Sequence, residues 1–499
     1  MNTILNSIGH RFKTRPLFVL LLICFAGCED LNEKPVGIAT PATFYNSIPQ
    51  CEAALAGSMS TLWGWYVAPG YGSGDGLSSW FSNDDQLEGG DLNIESDHAS
   101  GLWTAHYKAL ANINSLLHAV KNGSLATYPP EEIDKIVAQA KFLRAFNYFY
   151  LVRMFGDLPL ITEDTPDPVN TPITKRTSVA EVYDLIVSDL TFAMTTIPSK
   201  TDLGGATPGR PTSGAAKGLL AKVYLTMATA PLNITGNYAK AASLAKEIID
   251  GGEYALIPNI WEVFLKSNKY GSEAMWSFNS SEDDPQTDEN IGKPDEIDGY
   301  GGEQVAMYFD TTFAHQPRRD AYLLRYALED NAPNPPDTIL YTTAFDTGLP
   351  FIRKLYNEPY ITLDEGFGGS SANWFILRYA DILLIYAEAA NRVNGAPTQD
   401  AVDAINQIIN RANGTTGKEA VATIGMTMQV FEDKVIQERS WELCFELGDR
   451  WFDLIRKRIL DKAIAANGLP TALVNFTPDD YLFPIPTFDA KTIGQNPGY

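Results

Sequence analysis

Residues 63–93 read WGWYVAPGYGSGDGLSSWFSNDDQLEGGDLN and set Trp65, Tyr66, Tyr71, Trp80 and Phe81 beside Asn83, Asp84 and Asp85. Flat aromatic faces stack on apolar ring surfaces, and Tyr and Trp add a polar edge. Asn and Asp side chains bond hydroxyls. Sugars present both surfaces, C–H faces and hydroxyl rims, so the chemistry suits glycan binding. Gly70, Gly72, Gly74 and Gly76 let the backbone bend between the aromatics. Trp80, Asn83 and Asp84 lead the candidates for ligand contact. Trp276 and Tyr300 fall in a second loop-rich stretch, and Trp374 precedes a helix where it can face a cleft. The competing outcome is that Trp80 and Phe81 pack beneath the loop, the ordinary fate of aromatic side chains.

Other chemistries find less support. The stretches NDDQLEGGDLNIESD (83–97) and SSEDDPQTDEN (280–290) crowd hard oxygen ligands suited to calcium. Neither has EF-hand spacing, so an acidic surface is expected rather than a metal site. Five scattered histidines and few thiols give no zinc pattern. The HExxH, GxSxG and P-loop patterns do not occur. A glycoside hydrolase needs two carboxylates across the scissile bond, and acids are abundant, but sequence spacing reveals no such pair. The reading is a binder without catalysis or cofactor. A formal charge of −23 argues against nucleic acid and anionic membrane surfaces and tolerates neutral ligands.

The elements that must position these residues are mostly helical. Helical patterns fill 47–265 and 373–460. Ser47 fits an N-cap, with Cys51, Leu55, Met59 and Leu62 on one face behind it. Ser178 and Glu181 form a capping box ahead of Val182, Ile186 and Leu190. Ala216, Leu220, Val223 and Met227 make another stripe. Pro397 marks a helix start, followed by Val402, Ile405 and Ile409. Two helix–turn–helix segments match loosely, with Tyr224 and Tyr386 each eighteen residues before an alanine, Ala242 and Ala404. That spacing is tetratricopeptide-like and predicts helix pairs that bury one another's apolar faces. Residues 266–372 lack a sustained period and read as an ordered, functional, irregular lobe. Glu438, Glu442 and Glu446 repeat at i,i+4, which an isolated helix would not favour. Arginines from elsewhere, Arg144 or Arg378, are expected to meet them in a buried lock. Trp103, Trp441 and Trp451 read as core.

The opening segment decides location. Arg11, Lys13 and Arg15 precede an apolar run, Leu17–Phe25, of about nine residues, short of the roughly twenty that span a bilayer. Phe25-Ala26-Gly27-Cys28 resembles a bacterial lipobox, in which Cys28 is lipidated after residues 1–27 are removed. Cys51 and Cys444 would then be the remaining thiols, and no disulfide framework is expected.

Four stretches then carry a resemblance: RAFNYFYLVRMFGDLPLIT (144–162), LRYADILLIYAEAANRVNG (377–395), VIQERSWELCFELGDRWFDLIRK (435–457) and the terminal YLFPIPTFDAKTIGQNPGY. In order and spacing they resemble the SusD/RagB family of nutrient-binding outer-membrane lipoproteins of Bacteroidetes. Ser440 stands where a basic residue is commoner, and Ala490–Thr492 lack the usual Asn-Pro. The resemblance implies an all-α fold of about four tetratricopeptide-like units with an irregular lobe. Its regions would be 28–265, 266–372 and 373–499. It implies a lipid anchor on Cys28 in the outer membrane, with Glu29 and Asp30 directing the protein to the cell exterior. It implies a SusC-like TonB-dependent transporter as partner, capped like a lid, and an oligosaccharide as cargo. In related proteins the loop around Trp80 lies near the ligand, and the lobe that holds Trp276 and Tyr300 supplies binding aromatics. Oligopeptide cargo is the alternative, and a surface glycoside hydrolase a more distant one.

Overall fold

The capping box written at Ser178 forms as spaced. Ser178 Oγ accepts from the Glu181 N–H, and the Glu181 carboxylate reaches back to the Ser178 N–H. It starts one of a series of paired helices in a computed structural model. The model describes residues 44–60, 62, 76–78, 97–165, 175–204, 209–281, 287–288, 303–305, 307–314, 317–328, 338–340, 348–354, 369–447, 449–466 and 477–499. The opening segment with Cys28 lies outside the described residues, as do Trp65, Tyr66, Tyr71, Trp80, Phe81, Asn83, Asp84 and Tyr300.

The scaffold runs through α1 (Ile48–Met59), α2 (Asp97–Lys121), α3 (Pro130–Phe155), α4 (Val179–Thr196), α5 (Ser213–Met227) and α6 (Asn237–Gly251). It resumes with α7 (Tyr379–Asn394), α8 (Gln399–Asn413), α9 (Met428–Glu442) and α10 (Asp449–Lys457). Successive helices pack as pairs: α2 on α3, α3 on α4, α5 on α6, and α7 on α8, with α6 against α7 joining the halves. α3 lies at the centre, and every side chain from Phe142 to Phe155 is buried. Such all-round burial hides its stripe, since a central helix has no solvent face. The expected stripes on α4, α5 and α8 all face the core. Trp103, Trp441 and Trp451 are buried, and Cys51 and Cys444 are buried and not joined in a disulfide. Gly218 on α5 permits a close crossing, because a Cβ there would sit 2.9 Å from both Ile382 Cδ1 and Leu377 Cδ2. No described helix is long and apolar enough to cross a membrane.

One departure from the helical reading lies at 374–378. There WFILR forms β2 (Trp374–Arg378), antiparallel to β1 (Ala274–Phe278), with Trp374 opposite Phe278. All residues of both strands are buried. A short, continuously apolar run carries no period that separates strand from buried helix.

The lock exists, with partly different partners. Arg378 Nη1 donates to Glu442 and Glu273, both at 2.7 Å, and its Nε to Glu446 at 2.7 Å. Arg411 donates to Glu273 and Glu442 at 2.5 Å each. Arg318 Nη1 donates to Glu438 at 2.5 Å and Glu442 at 2.8 Å. Lys354 donates to Glu446 at 2.6 Å. Arg144 is not part of it. It turns to Asp189, with bonds of 2.7 and 2.9 Å, and to Glu163. Glu446 is not on the helix either. α9 ends at Glu442, and left-handed turns at Phe445 (φ 55) and Leu447 (φ 41) bring Glu446 back to the cluster. Burial alone would raise the Glu442 carboxyl, but Arg411, Arg378 and Arg318 outweigh it and hold it well below the usual carboxylate range. Burial raises Glu438 to about 7, with only Arg318 opposing it.

Candidate functional site

A cleft of about 550 Å³ opens between α1, α3, the turn at Gly209–Pro211 and β1. Its apolar floor is built by Leu55 and Met59 of α1, Leu143 of α3, and Trp276 and Phe278 of β1. The floor is rigid because aromatic packing lies behind it. The Trp276 ring meets Phe142 edge-on at 4.6 Å and Phe146 at 4.8 Å. Trp276 is only 5 % exposed, so it supplies a surface rather than a projecting arm.

The rim is polar. Arg210 grips Glu52 with two parallel bonds, at 2.5 and 2.9 Å, and both side chains remain partly exposed. Planar two-point pairing fixes the guanidinium and leaves its outer edge available. Exposed Asn279 and half-buried Gln139 add amides. Gly209 holds φ +82, and a Cβ on it would overlap the Asn279 side chain at 2.0–2.3 Å. Only glycine lets this turn lie so close to Asn279. Among the described residues, Glu52 is the single carboxylate that lines the cleft.

Both loop-rich stretches leave from this rim. Met59 and Ser60, which line it, come just before residues 63–93; Phe278 and Asn279 come just before the run that contains Tyr300. The two stretches are also tied by backbone. Gly76–Ser78 pairs antiparallel with Glu303–Val305, Leu77 opposite Gln304, at the edge of a four-stranded sheet completed by Phe351–Ile352 and Leu323–Leu324.

Of the residues singled out from sequence, Trp276 lines the cleft. Trp374 is buried in the strand pair opposite Phe278, behind the lining. The remaining candidates lie outside the described residues. Sequence reasoning missed Glu52, Arg210 and Gln139. Arg210 stands between Gly209 and Pro211 in a turn, and Glu52 and Gln139 are solvent-face positions of helices, so nothing local marks them. Among the described residues no group of three or more His, Cys, Asp or Glu could hold a metal ion. The two acidic stretches lie largely outside them.

Comparison with known proteins decides the relationship. A model of the SusD family matches residues 267–499, and a model described as starch-binding associating with outer membrane matches 73–225. This chain belongs to the SusD/RagB family. SusD-like protein P2 of Formosa agariphila is 28 % identical over 524 residues, spanning 98 % of this chain and all of that one. A SusD homolog from Bacteroides thetaiotaomicron superimposes with a TM-score of 0.77 at 24 % identity, covering 92 % of this chain and 98 % of that one. A laminarin-binding SusD-like protein superimposes with a TM-score of 0.68 at 22 % identity, covering 90 % and 99 %. The SusD fold accounts for the helical scaffold and its irregular lobe.

Proposed function

We propose that this SusD-family chain captures oligosaccharides at the cell surface and delivers them to a TonB-dependent outer-membrane transporter that it caps. The observation that carries the reading is the cleft floored by Trp276 and Phe278, with Arg210, Asn279 and Gln139 on its rim. An apolar floor with a few convergent polar groups suits a sugar ring. A relative of the same fold is described as laminarin-binding, which supports glycan as the class. Trp80, Asn83 and Asp84, with Trp65, Tyr66, Tyr71, Phe81 and Tyr300, would complete the site from the loops that leave its rim. Cys28 would carry the lipid anchor, with the protein facing the exterior.

Binding without cleavage belongs to the same reading, and it is supported by the relative described as binding its glycan; glycoside hydrolysis would need two carboxyl groups set across the scissile bond. The test is calorimetric titration of the chain from Glu29 onward against plant, host and microbial oligosaccharides and mixed peptides, with product analysis on the same samples. One glycan class should bind and stay intact. Released product would refute the non-catalytic role, and peptide binding alone would refute the glycan cargo. Co-purification with a barrel from detergent-solubilised outer membranes checks the partner, and its absence would refute the lid role.

A further inference from the structure

A second cavity, about 370 Å³, lies where α3, α4 and α10 meet the C-terminal segment. Its walls are apolar, built from Val179, Phe452, Ile455, Leu482 and Pro231. Buried Arg144, Arg318, Arg378, Arg411, Arg439 and Arg456 each pair with a carboxylate. Arg153, which lines this cavity and is 9 % exposed, has no carboxylate at ion-pair distance among the described residues. Its guanidinium lies 3.5 Å from the Phe452 ring centre and 3.8 Å from that of Phe149. Its Nε donates to the Phe149 carbonyl at 3.0 Å, and the Tyr150 hydroxyl is its side-chain partner. Asp449, the carboxylate whose field reaches it, is held by Lys222.

Three more cations line the cavity, of which Arg456 is paired with Glu388 and Asp453. Arg176 donates to Asn496 Oδ1 at 2.5 Å and the Gln495 carbonyl at 3.2 Å, and Arg458 stacks on Tyr481 at 4.3 Å. Neither has a carboxylate partner among the described residues. Asp157 is the one acid in the lining, and its Oδ1 accepts from the Val179 N–H. Arg176 is half-buried and Arg458 exposed, so Arg153 is the desolvated guanidinium that meets this cavity without an anion. A desolvated cation without an anion is costly, and a planar guanidinium fits a carboxylate by two parallel bonds.

The geometry points to a binding site for a small organic carboxylate with a flat or branched apolar body, held by Arg153 at the cavity wall. The volume is at the low end for ligand pockets, so the occupant is a single small molecule. The site is separate from the Trp276 cleft and does not rest on the glycan reading.

Benzoate is the probe, titrated calorimetrically into the folded chain from Glu29 onward, with benzyl alcohol and inorganic sulfate as controls. Benzoate should bind saturably at one site, about tenfold or more tighter than either control. Arg153→Lys, which keeps the charge and removes the plane, should weaken it about tenfold. Val179→Trp, which fills the cavity from its rim without touching Arg153, should abolish binding while the circular dichroism spectrum is kept. If Arg153→Lys does not fold, Val179→Trp decides. No saturable binding up to about 10 mM overturns the site. So does binding that survives Val179→Trp, or equal affinity for sulfate or benzyl alcohol.

Discussion

Replacing Arg378 by methionine removes one cation from a balanced cluster. Arg318, Arg378, Arg411 and Lys354 face Glu273, Glu438, Glu442 and Glu446, and all eight side chains are buried. Arg378 alone touches three of these carboxylates and also the Glu442 carbonyl, at 2.6 Å. Methionine fills much of the volume, so the loss is electrostatic: three carboxylates share fewer cations, and one net negative charge is left in the interior. Breaking a buried pair from one side costs about 3–5 kcal/mol. Glu446→Gln should cost less, because Arg378 keeps Glu273 and Glu442. The double variant restores charge balance and should fall short of the summed single costs by about 1–3 kcal/mol. Urea midpoints with unchanged slopes measure all three. A cost for Arg378→Met below about 1 kcal/mol, or strictly additive singles, would show that the cluster does not act as an electrostatic unit.

Trp80→Ala should weaken glycan binding by about 1–3 kcal/mol at an unchanged melting temperature; calorimetry showing full affinity would remove Trp80 from the site. Gly209→Ala forces a side chain into left-handed backbone beside Asn279 and should cost about 1–3 kcal/mol, read from the urea midpoint. Acid should act through His106, whose Nδ1 lies 2.8 Å from Asn147 Oδ1 and which burial lowers from 6.5 to about 4. Between those values the unfolded chain takes up a proton that the folded chain refuses, so stability is lost as pH falls through the window. The contribution is about 3 kcal/mol, and Glu438 and Asp449, both raised, oppose it with the reverse slope. The difference between wild type and His106→Gln across that window isolates it, and a flat difference would refute it.

What the sequence made legible was local. The Ser178–Glu181 box and the stripe on α8 need only neighbours within a turn or two, and both formed as read. The carboxylate lock was legible as a need, since like charges at that spacing demand cations, and Arg378 was named for it, but Arg318, Arg411 and Lys354 were not. Arg318 sits beside Arg319 in a segment without period, and it was chosen over Arg144 by the packing of distant elements. Glu446 kept its place in the cluster although the helix ends before it, because two left-handed residues do what another helical turn would have done. At the cleft, Trp276 was singled out as a candidate binding aromatic of the loop-rich lobe, and it lies in the floor. Its neighbours Glu52 and Arg210, 158 residues apart, meet only through tertiary structure.

The lock also bears on which parts of the chain can be exchanged. Arg318 and Lys354 come from the irregular lobe, Glu273 from the turn just before β1, Arg378 from β2, and Arg411, Glu438 and Glu442 from the helices. The lobe is therefore not a detachable module. Cutting it out would strip two cations from the interior and leave the helical scaffold with uncompensated acids. The stretch between Glu273 and Arg318 is fastened by packing as well, since Trp276, Val305, Phe309 and Phe313 are all buried. Loss of the lobe would therefore cost the scaffold part of its apolar core along with its charge balance.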